Sequence, residues 1–203
     1  LVGGAVYNVI ENSILTKQEG EAQKNVGSSL ISEKEKDYTS KGGELYKSCN
    51  NLILAEKAVI AKKGKDKGTY EDRRPISIKD GVPADYMICD IVVNDEIASK
   101  INQADVIIWF GNIGMSDVES PKGSGDYPFA VGTELFKKAI NSKAYVIVGG
   151  GDSVEASKGM KNIHISTGGG AAIELYIKGT LDALEALKGN INYLKEKYLK
   201  KTK

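Results

Sequence analysis

The feature that most constrains this chain is a pair of glycine triplets, Gly149–Gly151 and Gly168–Gly170, each directly after a short β-branched run. Val146, Ile147 and Val148 lead into the first and Ile163-His164-Ile165 into the second, and both runs read as short buried strands. Helix-compatible sequence follows each triplet. Glycines at a strand-to-helix junction let the backbone approach a ligand closely and expose consecutive N–H groups. The helix start behind them adds partial positive charge, so both junctions suit a phosphate. A single triplet is equally well read as a tight turn; two in one chain favour phosphate. Asp152 and Ser153 follow the first triplet. They serve as an N-cap in one reading. In the other they are an oxygen ligand for a metal and a hydroxyl for a phosphate oxygen, as a Mg-nucleotide site requires.

Composition narrows the class. The 203 residues are enough for one sizeable core, and a 41% hydrophobic content with 27% charged residues is that of an ordinary globule. A formal net charge of +1 argues against nucleic acid as a partner. No apolar run is long enough for a membrane span. Cys49 and Cys89 fit no metal spacing and point to a reducing, cytoplasmic compartment, as core or pocket lining rather than reactive groups. Leu1 opens the sequence with no methionine and no secretion signal, as in a piece of something longer.

Along the chain, Leu1 to Ala5 reads as a strand end running into a helix from Val6 to about Leu15, with Thr16–Gly27 a surface loop. The segment Glu33–Asn50 reads as an amphipathic helix broken by Gly42-Gly43. Residues 51–54 and 57–61 read as one interrupted strand. Between Lys62 and Arg74, basic residues are offset by Asp66, Glu71 and Asp72, which favours a solvated loop over a nucleic-acid patch. Ile76 and Ile78 alternate in a short extended stretch between Pro75 and Pro83. The spacing of Ile97 and Ile101 predicts a helix over 95–104, and Asp105–Trp109 is the strongest strand. Val118–Tyr127 reads as a surface insertion. Thr133 is expected to cap a helix that buries Leu135, Phe136 and Ile140. A short helix, from Val154 to about Lys158, separates the two junctions. His164, the only histidine, is expected to be a satisfied core residue rather than a general base. Beyond Asn190, Ile191, Leu194 and Tyr198 among lysines predict a surface helix or frayed tail.

The strings GGGDS and HISTGGGAA, with Trp109-Phe-Gly-Asn-Ile-Gly114, resemble the nucleotide-binding C-terminal domain of phosphoglycerate kinase. The resemblance runs from Leu1 to about Leu187 and is densest from Asp105 to Glu174. It implies an α/β fold: a single Rossmann-like three-layer α/β/α domain over residues 1–189 with a parallel sheet, then a lysine-rich tail over 190–203. The ligand would lie off the carboxyl ends of the strands. Gly3 and Gly4 would stand beside the adenine pocket, with Ile88 and Cys89 in a stretch that lines the base; Ile88 replaces a family glycine and narrows the space. Gly111 and Gly114 match the family, with Met115 beside them. Phe110 stands where the family has an asparagine reaching toward the phosphates, and Asn112 offers an amide nearby. Asp117 replaces a glutamate that bonds the ribose hydroxyls. His164 matches a histidine near the interdomain hinge, a second reading for it.

The family transfers a phosphoryl group between 1,3-bisphosphoglycerate and ADP, a reaction of positioning and charge neutralisation. The resemblance therefore implies ADP or ATP as substrate and Mg²⁺ held by Asp152, with Ser153 on a phosphate oxygen. Gly149, Gly150 and Gly151 would bring the first bend to the transferring group. The N–H groups of Gly169 and Gly170 would stabilise the charge growing on it. Phosphoglycerate would be held by an N-terminal domain that this chain lacks, as it lacks the family's lysine-bearing motif. A truncation explains both of these, but not Phe110. A module that binds nucleotide without catalysis is the alternative; a different nucleotide-dependent α/β enzyme would leave the Asp105–Glu174 match as coincidence. An open apolar surface is expected around Leu181, Leu184 and Leu187.

Overall fold

The computed structural model describes residues 1–16, 25–29, 31, 39–66, 68–115 and 131–194. The expectations for Asp117, the 118–127 insertion and the end of the tail lie outside these residues.

The fold is α/β, with a parallel sheet carrying both glycine junctions. Strands β4 (Val106–Phe110), β5 (Tyr145–Gly149) and β6 (Ile163–Ser166) pair in the order β4-β5-β6, all parallel. A second sheet stands beside it. Strands β1 (Lys57–Lys63), β2 (Tyr70–Ser77) and β3 (Tyr86–Ile91) form an antiparallel sheet in the order β2-β1-β3. The charged stretch after Lys62 is thus the turn of a β-hairpin and the start of β2, not a loop throughout. Its strand is mostly exposed, which is why the sequence carries so little apolar signal there. Residues 51–54 lie outside any strand.

Helix α1 (Gly4–Leu15) buries Tyr7, Ile10 and Leu15. Helix α2 (Thr39–Ser48) passes straight through Gly42-Gly43 rather than breaking there. A Cβ on Gly42 would lie 3.1 Å from the Val9 side chain and 3.4 Å from Ile10 Cα, so glycine is what lets α2 lie so close to α1. Helix α3 (Asp95–Asn102) is capped by Asn94, whose side chain accepts the Ile97 N–H at 2.9 Å, and it buries Ile97 and Ile101 as the spacing predicts. Each fully buried side chain of this kind contributes about 1.5–3 kcal/mol. In α4 (Val131–Ala139), Thr133 is buried within the helix and is not its cap. Phe136 meets Trp109 edge-on, with ring centroids 5.1 Å apart. Helices α5 (Gly151–Ala156) and α6 (Gly169–Lys178) follow the two glycine bends, and α7 (Asp182–Leu194) runs without a break across the boundary expected at 189.

Paired residues of a parallel sheet share a face. One face here carries Trp109, Val146 and Val148, all buried. The opposite face leaves Val106, Ile108 and Tyr145 exposed, and His164 with them. His164 is therefore not a core histidine, because the face it stands on is open. Leu184 and Leu187 of α7 are exposed as expected, whereas Leu181, just before the helix, is half-buried.

Candidate nucleotide cleft

A cleft of about 560 Å³ opens between α1, β3 and the turn after β4. Gly4, Tyr7 and Asn8 of α1 form one wall, and Ile88, Cys89 and Asp90 of β3 form the floor. Asn112, Ile113, Gly114 and Met115 form the facing wall. Tyr70, from the hairpin, and Asp152, from the first turn of α5, complete the lining.

The walls are held in register by main-chain contacts that only small residues permit. Gly4 N–H donates to Ile113 O at 2.9 Å. Side chains on Gly3 and Gly4 would bring a Cβ to 2.7 Å from Ile113 O and 2.8 Å from Asn112 O. Met115 N–H donates to Cys89 O at 2.8 Å, fixing the turn to the floor. Below, the Tyr7 hydroxyl donates to Ala55 O at 2.7 Å, and burial raises its pKa. The Cys89 thiol donates to Val59 O at 3.2 Å and is pushed up to about 12, chiefly by burial, so it lines the cleft as a neutral, inert group.

The two glycine bends come together. Gly150 N–H donates to Ser166 O at 3.0 Å, tying the first bend to the end of β6. A Cβ on Gly169 would lie 2.9 Å from Gly150 Cα, so the second bend rests against the first. Both lie at the carboxyl end of the parallel sheet, beside the Asp152 edge of the cleft. The N–H of Gly150 is thereby engaged. First-turn amides of α5 and α6, including those of Gly151, Gly169 and Gly170, have no intrahelical acceptor.

Several expected residues fall elsewhere. Gly3 and Gly111 line a separate groove of about 290 Å³ along β4. Phe110 is paired with Gly149, and its ring covers that glycine instead of entering the cleft. Ser153 is buried at 1% exposure and its Oγ has no hydrogen-bond partner among the described residues. Asp152 is exposed at the cleft. Among the described residues no cluster of three acidic, histidine or cysteine side chains could hold a metal. A lone carboxylate fits Mg²⁺ that takes its other ligands from phosphates and water.

Sequence reasoning missed Tyr7, Asn8, Tyr70 and Asp90 as cleft residues. For Asp90 a signal existed: a carboxylate inside an otherwise apolar six-residue strand. For Tyr70 there was none, since its place depends on a hairpin the sequence hides.

A parallel sheet whose strands run through glycine bends into helices is a Rossmann-like α/β arrangement. The phosphoglycerate kinase family profile matches residues 1–179. The chain belongs to the phosphoglycerate kinase family. It is 32% identical to phosphoglycerate kinase of Herpetosiphon aurantiacus over 198 residues, covering 92% of this chain and 44% of that protein. Against the enzyme of Chloroflexus aurantiacus it is 31% identical over 202 residues, 93% of this chain and 45% of the relative. It therefore spans less than half the length of these relatives. The solved phosphoglycerate kinase of Coxiella burnetii shares the fold, with a TM-score of 0.65 at 24% identity over 91% of this chain and 44% of that one.

Proposed function

We propose that this chain is the nucleotide-binding half of a phosphoglycerate kinase and takes Mg-ADP or Mg-ATP in the cleft between α1 and β3. The observation that carries this reading is the meeting of the two glycine bends beside Asp152, at one edge of the cleft. A planar base suits the Ile88–Cys89 floor, and the phosphate tail would then run toward Asp152 and the bends. Gly151, Gly169 and Gly170 offer first-turn amides to phosphate oxygens. Asn112 brings an amide to the cleft wall, where Phe110 brings none. Asp152 would hold Mg²⁺, which when bound supplies neutralisation of the phosphate charge.

The reaction moves a phosphoryl group from the acyl phosphate of 1,3-bisphosphoglycerate to the terminal oxygen of ADP. One P–O bond breaks as another forms, and the protein contributes alignment and charge stabilisation. In this reading the phosphoglycerate partner is held by a second domain, and the setting is cytoplasmic glycolysis. The buried Ser153 hydroxyl and the apolar Phe110 favour a second reading, a module that binds nucleotide without transferring phosphate.

Thermal unfolding with Mg-ADP tests the proposal. Mg-ADP at a hundredfold excess over its Kd stabilises by about 2.7 kcal/mol. The shift is expected to shrink in Asp152→Ala, and Mg-GDP serves as the comparison base. No shift with either nucleotide would overturn both readings. Binding without turnover, once a complementary phosphoglycerate-binding domain is added, would select the second.

A further inference from the structure

Asp90 is buried at 2% exposure at the far end of an otherwise apolar strand, and it stands on the cleft floor. An ionised carboxylate is costly to bury unless its oxygens are satisfied. Here each oxygen accepts one main-chain N–H: Oδ1 from Ile91 and Oδ2 from Gly132, both at 2.8 Å. Gly132 belongs to the first turn of α4, where a negative charge is favoured. Burial, the largest influence, still lifts the carboxyl to about 6, with the two N–H donors pulling the other way.

Two glycines make room for this group. Any Cβ on Gly114, in the cleft wall, or on Gly132 would overlap the Asp90 carboxylate, and at Gly132 it would also lie 2.6 Å from Ile91 O. The adjacent Cys89 O accepts the Met115 N–H at 2.8 Å. Met115 and the first turn of α4 are thus both gathered on the Cys89–Asp90 end of β3. A packed apolar residue would bury this spot at less cost, so a charge retained here calls for a role in geometry.

We propose that Asp90 is a positioning residue of the cleft: its carboxylate bonds the first turn of α4 and packs against Gly114, and so couples the Gly114–Met115 wall to α4 and sets the width in which a ligand is held. The effect on ligand binding rests on the nucleotide reading above; the mechanical coupling does not. Asp90→Asn keeps the shape but removes one of the two acceptors.

The experiment measures amide hydrogen exchange of the folded protein and Mg-ADP affinity for the wild type and Asp90→Asn. Loss of one charge-assisted bond is expected to speed exchange at both Gly132 and Met115 by about tenfold, with β1 amides unchanged. Affinity for Mg-ADP is expected to fall by about tenfold, by the same arithmetic. Faster exchange at Gly132 with Met115 unchanged would overturn the coupling, as would a uniform rise across the chain. Wild-type affinity in a variant whose two amides are both released would overturn the link to the ligand. If the wild type itself binds no Mg-ADP, the nucleotide reading fails while the exchange result still decides the coupling. Should Asp90→Asn not fold, Gly132→Ala disturbs the same contact from the other side and is read in the same way.

Discussion

Strand β3 hides all six of its residues, whereas each strand of the parallel sheet leaves part of itself open to solvent. The antiparallel half, with α1 against it, owns most of the fully buried large side chains, among them Tyr7, Ile60 and Met87. The parallel half is packed on one face only, and α6 has no buried residue at all. The cleft lies on the boundary. Its floor and the α1 wall belong to the well-packed half, and Asp152 and the glycine bends belong to the other. Recognition of a rigid, flat group suits the first. In the proposed reading a phosphate tail would meet the less buried half, and adjustable ligand-binding segments are commonly drawn from such weakly packed regions.

Large-to-small substitution on either side should break or confirm this contrast most visibly. Ile60→Ala, at a fully buried site, is expected to cost about 2–5 kcal/mol in chemical denaturation. Ile108→Ala, on the open sheet face, is expected to stay within about 0.5 kcal/mol. Equal losses would mean that the open face is covered in solution. Next in size is Gly169→Ala, whose added methyl would push against Gly150 Cα. It should lower Mg-ADP affinity by about tenfold, read by calorimetry, while unfolding shifts little because the bends lie outside the core.

The smallest expected effect is one of pH, and it falls on the packed half. Glu11 of α1 is buried and lifted to about 7, and Asp90 to about 6, in both cases mainly by burial. Both groups hold their protons more tightly folded than unfolded. Their contribution is thus fully present at low pH, below the ordinary carboxylate range, and is lost as pH rises through about 6 to 7. Glu11→Gln should therefore raise the melting temperature at pH 8 and flatten its fall between pH 5 and pH 8, each pKa unit being worth about 1.4 kcal/mol. An unchanged slope in Glu11→Gln would place the titration elsewhere.

The same contrast explains what could be read from the sequence. β4, β5 and β6 were legible because short β-branched runs ended at glycine, and the meeting of the two bends followed from parallel order. α3 was legible from the Ile97–Ile101 spacing, while its cap, Asn94, was found in the structure. The hairpin of β1 and β2 was not, since Tyr70–Ser77 is a largely solvated strand whose charges and proline mimic a loop. Gly42-Gly43 looked like a break because a sequence does not reveal which neighbour a helix must approach. His164 looked buried because the open face of its sheet is a tertiary fact. In the cleft, Asp152 came from a local motif and Met115 from the family resemblance. Tyr70 came from a contact between strands far apart in the chain, and the burial of Ser153 was not legible because sequence does not say which way a hydroxyl turns.

The claim at the centre of this account is that the two glycine bends act as one receptor for a phosphate tail. Titration of the labelled protein with Mg-ADP, following the amide resonances of Gly151, Gly169 and Gly170, tests it most directly. All three should move together along one binding curve shared with Met115 in the cleft wall. Shifts confined to one bend, or none at either while Met115 responds, would contradict it.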